Sequence, residues 1–595
     1  MKKHSENPCE LYLELSRSLA SDQAVPVAVA PEMEFSDFSA FSLWYESAED
    51  SEDSEVNKSI ATAILAGFFQ QSHRQSSRVV NDVVELPWVF SKQKKSGDIE
   101  TGLLRWLSLS DAEQVVRHQI RSGRLVLALD SVTTVSSDVL SVLQQMPGLR
   151  LNGLQMLDDA TAVGLQNYTG DLVLDQVREL PDDVAVLLGA KSAKPLQGLS
   201  LNGLQAVSVA AIEALNQRSI SSLSLAGITT LDDVALAAAL ATFSGELKLP
   251  NVSVVSVEAA TALAAYPGTL SFDRLEQVSE AVAKAFAQHK GVLWLEGLTK
   301  LTEPVAKALG QKQGSLGLTS IPEISEEEAA GLATLQGDLW MSALEALSPE
   351  AAGYLGQIRG CLALDGLMSL SAEQAAGLSD HVGGLRLERL MEISPEVAKF
   401  IAKAEGELWL DGLSDLDEAV AKGLAGHSGG ISVDNLASIS PGVARALGKT
   451  QGFIRLDGMK QLSEDVATGF IGHHGNISLK AVRDLSVDNA KALATVKGDI
   501  DLTDVRKMDA ATALALSSHQ GEIRLPRLKK IRTSVLLALA EHKQGAVWVL
   551  ESRFSLRATY CLAKADFPCL KVGKTAERAV RQVQKWLQVI HLSKP

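Results

Sequence analysis

Residues 394–413 read SPEVAKFIAKAEGELWLDGL. Ser394-Pro395-Glu396 spells the start of a helix: Ser as N-cap, Pro at the first helical position, and a carboxylate at the positive end of the helix dipole. Val397, Ile401 and Ala404 follow at helical spacing. Leu408 and Leu410 then alternate with Glu407, Trp409 and Asp411, the period of a short strand with one apolar face. Asp411-Gly412 turns the chain. The phrase recurs 23 residues earlier from Ser371 and 23 residues later from Asp417.

Thirteen glycines from Gly245 to Gly521 keep this 23-residue register without a break. Looser copies begin near Leu127, Leu149, Leu172, Leu199 and Leu223, and a last one is Val-Trp-Val at 547–549, giving about eighteen or nineteen units. Ser348 repeats the Ser-Pro-Glu start, and Ser325 with Glu328 fits a capping box. The repeat's Gly is expected to end each helix through positive φ. No unit can bury its leucines alone, so neighbours must stack into a solenoid. Strands stack at about 4.8 Å and helices at about 8–10 Å. The predicted fold is therefore α/β: a right-handed β/α solenoid, bent into a horseshoe or arc, with a concave parallel sheet and convex helices. Alanines at the helix midpoint (Ala306, Ala398, Ala444, Ala467) let neighbouring helices approach.

These Leu-x-Leu strands in 23-residue units, over residues 123–549, resemble the leucine-rich-repeat family. The resemblance implies a binding scaffold that presents its concave face to a protein partner. One column departs from the family pattern: the usual Asn after the strand is here mostly Leu or Val, as at Leu298, Leu367, Leu413 and Val482.

The 595-residue chain carries a formal charge of −16, unevenly spread. Residues 31–57 hold nine acids and no base, whereas residues 523–595 hold fifteen Lys/Arg against four Asp/Glu, a local +11. Such a basic end points to a polyanion or to docking within the chain. Four cysteines, at 9, 361, 561 and 569, make neither a disulfide framework nor a zinc spacing. The start shows no signal peptide and the apolar run at 60–69 is too short to span a bilayer, so a reducing cytoplasmic setting is the expectation. Residues 1–57 are expected to be an acidic disordered segment, 58–122 a helical cap, and 550–595 a basic cap or small module.

Trp294, Trp340, Trp409 and Trp548 share one outward strand column with Arg386, Arg455 and Arg524. Trp and Arg are the residues that most often dominate interfaces. The competing reading lays the rings over Gly317 and Ala363, with Arg386 stacked on Trp409. The next outward column is acidic: Asp273, Glu296, and five in succession, Asp365, Glu388, Asp411, Asp434 and Asp457. It is read mainly as turn chemistry. His289, His381, His427, His473 and His519 stand two places before the repeat's Gly. The last four are two repeats apart, about 10 Å, too far to share one metal, and are read as closing helix ends. No metal site or cofactor is expected.

Gly-His-Ser-Gly-Gly at 426–430 imitates a nucleophile elbow, but Ser428 follows a helix and precedes a strand, the reverse of what the elbow needs. Pro-Cys-Leu-Lys-Val-Gly-Lys-Thr at 568–575 lacks the first glycine of a phosphate loop. Tyr560, Lys571, Gly573 and Arg578 or Arg581 resemble the opening of a GIY-YIG-type nuclease module, over about forty residues and without its later metal-binding helix. The main expectation is a non-enzymatic scaffold for a protein partner. Trp294, Trp340, Arg386, Trp409, Arg455, Glu388 and Asp411 are its contact surface. The alternative is a nucleic-acid-associated protein that uses the basic C-terminus; no membrane partner is expected.

Overall fold

Each strand is two or three residues long and hydrogen-bonds to the strand one repeat away, so the sheet is assembled by repetition. The computed structural model describes residues 99–100, 112, 126–130, 132–191, 193–529, 531–550, 569–574, 577–578 and 581. All of them fall within one unit, Lys92–Pro595. Every strand pair is parallel, and each neighbouring pair from Leu270–Ser271 to Ile523–Arg524 is displaced by one 23-residue repeat. Leu385, Leu408, Ile431 and Ile454 are successive rungs, all fully buried. A short helix crosses between consecutive strands, such as Pro395–Ile401 between Leu385–Arg386 and Leu408–Trp409. The chain is thus an α/β solenoid of the leucine-rich-repeat type, with one face of strands and one of helices.

The sequence signals for the helices act as their chemistry requires. Ser394 Oγ accepts the Val397 N–H at 3.2 Å, and Ser348 Oγ accepts that of Ala351 at 3.0 Å. Ser325 and Glu328 form the capping box, at 3.2 and 2.9 Å. Ala306, Ala398 and Ala444 are fully buried, and a Cβ on Gly469 would meet Ala444 Cβ at 2.5 Å, so small residues set the helix spacing.

The repeat's glycine serves a different purpose from the one expected. Among the described glycines, only Gly472 and Gly545 have positive φ. The helix Pro395–Ile401 ends at Ala402 in right-handed conformation, with φ −66°. What the column requires is the absence of a Cβ. One placed on Gly406 would lie 2.0 Å from the Gly383 carbonyl oxygen, and one on Gly475 would lie 1.8 Å from that of Gly452. From Gly291 to Gly521 each glycine of the column lets its repeat rest on the backbone of the one before, whereas at Gly268 the space is taken by the Tyr266 ring.

The ladder is split into a seven-stranded and a fourteen-stranded sheet, between Glu246–Lys248 and Leu270–Ser271. Tyr266 explains the seam. Its hydroxyl accepts the Leu247 N–H at 2.9 Å and donates to Gly245 O, so a side chain takes a bond that a ladder would use.

At the ends, Ile99–Glu100 pairs with residues 127–128, adding a strand within the segment read as a helical cap. The helix expected near 110–121 is described only at Ala112; the one near 58–72 and the acidic segment 1–57 lie outside the described residues. Leu570–Val572 continues the sheet beyond Val547–Val549.

Candidate partner-binding face

The outward strand column places Trp294, Gly317, Trp340, Ala363, Arg386, Trp409, Ser432 and Arg455 on successive rungs. Trp294 and Trp340 reach across Gly317 and stack, with ring centroids 4.7 Å apart and planes at 27°. A Cβ on Gly317 would be 1.9 Å from Trp294 Cε3, so the glycine makes room for the ring. Trp409 lies over Gly384, where a Cβ would meet Cζ3 at 2.6 Å. All four column tryptophans are half-buried, each with part of its surface against the sheet and part in solvent. Cover over glycine is therefore real, and an open aromatic surface remains above it.

Arg386 does not use its guanidinium to stack on Trp409. It pairs with Asp365 at 3.2 Å and Glu388 at 2.8 Å. Arg455 lies 5.5 Å from the Phe453 ring centroid and 4.0 Å from Asp434. Trp548 donates from Nε1 to Glu522 at 3.1 Å.

The acidic column bonds repeat to repeat. Asp411 Oδ1 accepts the N–H of Asp434 at 2.8 Å, Asp434 Oδ1 that of Asp457 at 3.0 Å, and Asp457 Oδ1 that of Lys480 at 3.0 Å. Asn152 and Asn202 do the same for Asp175 and Ala226, each at 2.9 Å. This column supplies the inter-repeat bond, so the Leu or Val at 298, 367, 413 and 482 is free to be core. Burial, with the neighbouring Asp365 charge, raises the Glu388 pKa, and burial raises that of Asp434. Burial also opposes ionisation of Asp457, but Lys480 and Ser478 outweigh it and the pKa falls. The row remains acidic, with Arg386, Arg455 and Lys480 as partial counter-charges.

The histidine column is buried; His381, His427 and His473 close helix ends as expected, whereas both ring nitrogens of His289 and of His519 are buried without a hydrogen-bond partner. Nδ1 of His427 donates to Ala402 O at 3.2 Å, and Nδ1 of His473 to Gly448 O at 3.2 Å, each the carbonyl of the residue that caps the helix of the repeat before. His542, which the spacing count passed over, bonds Ser517 O at 3.3 Å in the same way. Burial lowers the pKa of His289, His381, His427, His473 and His519. The same layer holds cations that sequence reasoning missed. Lys312 is fully buried, donates to Gly291 O at 2.7 Å and to His289 O, and is pulled down to about 8 by burial. Arg218 donates to Lys194 O at 2.9 Å, Leu188 O at 3.1 Å and Tyr168 O at 2.6 Å, and burial pulls it to about 10. Both are held by backbone carbonyls alone.

Ser428 lies between the helix Glu418–Leu424 and the strand Ile431–Ser432, and the neighbouring His427 turns Nδ1 away to Ala402. Burial pushes the Cys361 thiol up to about 11, which leaves it protonated and a poor nucleophile. Among the described residues no group of three or more His, Cys, Asp or Glu is arranged to hold a metal ion, and no helix is long and apolar enough to cross a membrane. In the phosphate-loop imitation, residues 570–572 form a strand where the loop would wrap a phosphate. Lys571 is opposite Trp548, Gly573 lies beneath Leu550 O, and Arg581 pairs with Glu577 at 3.3 Å. Arg578 is exposed and Tyr560 lies outside the described residues. Nothing in this arrangement supports the nuclease resemblance.

No family model matches the sequence, and no curated protein matches it significantly. Solved structures that the chain matches include TLR13 in complex with ssRNA13, at 15% identity over 77% of this chain and 63% of that one, with a TM-score of 0.39. This chain thus spans less than two thirds of the TLR13 chain. Another is a leucine-rich-repeat protein of Leptospira interrogans, at 16% identity, 79% and 100% coverage and a TM-score of 0.29. A third is an internalin of Listeria monocytogenes, at 14% identity, 57% and 86% coverage and a TM-score of 0.29.

Proposed function

We propose that the solenoid is a non-enzymatic protein-interaction scaffold, and that the partner is held on the concave strand face around Trp294 and Trp340. The carrying observation is the stacked pair itself: two large, half-exposed rings on an outward column whose intervening rung is Gly317. Such rings offer wide apolar area with few rotamers to freeze, which favours binding hot spots. Asp273 and Glu296 flank the pair on one side, and Asp365 and Glu388 stand beyond it on the other. The favoured partner is therefore a protein segment that sets apolar side chains on the rings and Lys or Arg against the acids. Arg386 and Arg455, already paired with acids of the same face, orient that row, and Trp409 extends the aromatic surface. Low cysteine content supports a reducing, cytoplasmic setting.

The test is comparative affinity capture from the source cells. The baits are the wild type, Trp294→Ser/Trp340→Ser, and a helix-face control, Lys284→Ser/Lys307→Ser. Partners should be lost from the tryptophan variant alone, with circular dichroism unchanged. The same partners on all three baits would overturn the assignment.

A further inference from the structure

One edge of the solenoid carries a charge pattern that the strand face does not explain. Lys460, Arg483, Arg506 and Lys529 occupy one position of four successive 23-residue repeats, directly after the turn that follows the strand. All four are exposed. Lys529 N donates to Arg506 O at 2.8 Å, so these rungs are in backbone contact. Among the described residues none of the four forms an ion pair, although nearby Lys480 and Arg527 are taken up by Asp457 (2.8 Å) and Asp504 (2.6 Å). Two acids on this edge, Asp484 and Asp509, stand against the four bases and Lys507; Asp509 also caps a helix through the Thr512 N–H at 2.7 Å and keeps its charge.

A solvated surface would scatter such charges. In the nine preceding repeats, from Ser253 to Ala437, this position holds no Lys or Arg. The floor changes beneath two of the four, Arg483 and Arg506, while the Lys460 and Lys529 repeats keep Val466 and Val535 there. Asn489 and Thr512 replace the valine found at Val397, Val420, Val443 and Val466, and both are buried. Asn489 Nδ2 donates to Leu462 O at 2.7 Å while its Oδ1 is buried without a partner. An open cleft of about 750 Å³ adjoins the stripe at Lys460, lined also by Lys507, Asp484 and Asp509 over Asn489 and Thr512.

We infer that this edge binds the sugar–phosphate backbone of a nucleic acid without reading its bases. Three repeat steps span about 14–27 Å, between strand and helix spacing. A row of cations over that length follows a chain that carries one phosphate per nucleotide. The four side chains offer charge to phosphates and no ring on which to stack a base, which makes backbone contact the binding mode. This surface is separate from the strand face and stands or falls independently of it.

The test is fluorescence anisotropy of the full chain with a labelled oligothymidine of about 20 nucleotides, titrated across salt. Four phosphate contacts predict a slope of log Kobs against log salt near about −3 for a single strand. The variant Lys460→Gln/Arg483→Gln/Arg506→Gln/Lys529→Gln should bind at least about tenfold more weakly at low salt and lose most of that slope. A helix-face control, Lys284→Gln/Lys307→Gln/Lys399→Gln/Lys422→Gln, should bind like the wild type. Failure of the wild type to bind, or equal slopes for wild type and stripe variant, would overturn the inference. Competition by polyglutamate as effective as that by unlabelled oligonucleotide would also overturn it, and would assign the edge to an acidic protein segment instead.

Discussion

Gly406→Ala and Gly353→Ala are the same chemical change, and the structure gives them opposite signs. At Gly406 the added methyl would meet Gly383 O at 2.0 Å, Gly383 C at 2.3 Å and Gly384 N at 2.6 Å. The carbonyl contact is about 1 Å inside the closest approach a real Cβ tolerates, and every atom struck is backbone, so no rotamer change relieves it. Repeats on both sides hold that backbone in the ladder, and relief means spreading several rungs. Overpacking of this kind costs about 1–3 kcal/mol, and the backbone location puts Gly406→Ala at the upper end. Gly353 lies within the helix Pro349–Leu355, and a Cβ there meets nothing within 4 Å. Alanine should stabilise that helix by about 1 kcal/mol. Urea melts followed by circular dichroism should move in opposite directions for the two variants, and hydrogen exchange should locate the Gly406→Ala loss between residues 383 and 429. A Gly406→Ala protein that melts with the wild type would refute the reasoning, because the repeats could not then be stacked carbonyl on glycine.

Three other outcomes follow from the geometry. Leu410→Ala removes a fully buried strand residue and should cost about 2–5 kcal/mol, while half-exposed Trp409→Ala should cost much less in the same melts. Asp434→Asn keeps an oxygen for the Asp457 N–H and removes one charge from an acidic row, so it should be neutral or stabilising at low salt; Asp434→Ala should lose about 1 kcal/mol. The buried histidines have folded pKa values lowered by burial. Their contribution is therefore present above the unfolded value of about 6.5 and is lost as pH falls from there through the folded value. Urea midpoints should drop between about pH 7.5 and about pH 5. His427→Thr, which installs the residue found one repeat later in the same column at Thr450, should shrink that drop, while Glu388 and Asp434, whose raised pKa values act in the opposite sense, are left in place.

The solenoid was legible because Leu408, Leu410 and Ser394 carry signals that act within one repeat: alternation, capping, a turn. What the sequence concealed depends on neighbours 23 or more residues away. Gly406 looks like a helix terminator until Gly383 is placed beneath it. Asp411 reads as turn chemistry, and its bond to the Asp434 N–H appears only with the rungs in register. Lys312 and Arg218 escaped notice because their layer mixes His, Tyr, Lys, Thr and Leu, which share a place in the fold and no common chemistry. At the candidate site, the column of Trp294 and Trp340 was readable from spacing, whereas the stack across Gly317 and the pairing of Arg386 with Asp365 and Glu388 required side-chain positions.

The most direct measurement is the affinity of a captured partner, by isothermal titration, for the wild type and for Trp294→Ser/Trp340→Ser. A hot spot worth about 2 kcal/mol or more predicts at least about a 30-fold loss, with the helix-face control Lys284→Ser/Lys307→Ser unchanged. Affinity of the tryptophan variant within about twofold of the wild type would contradict a binding strand face and leave the two rings as cover for the sheet at Gly317.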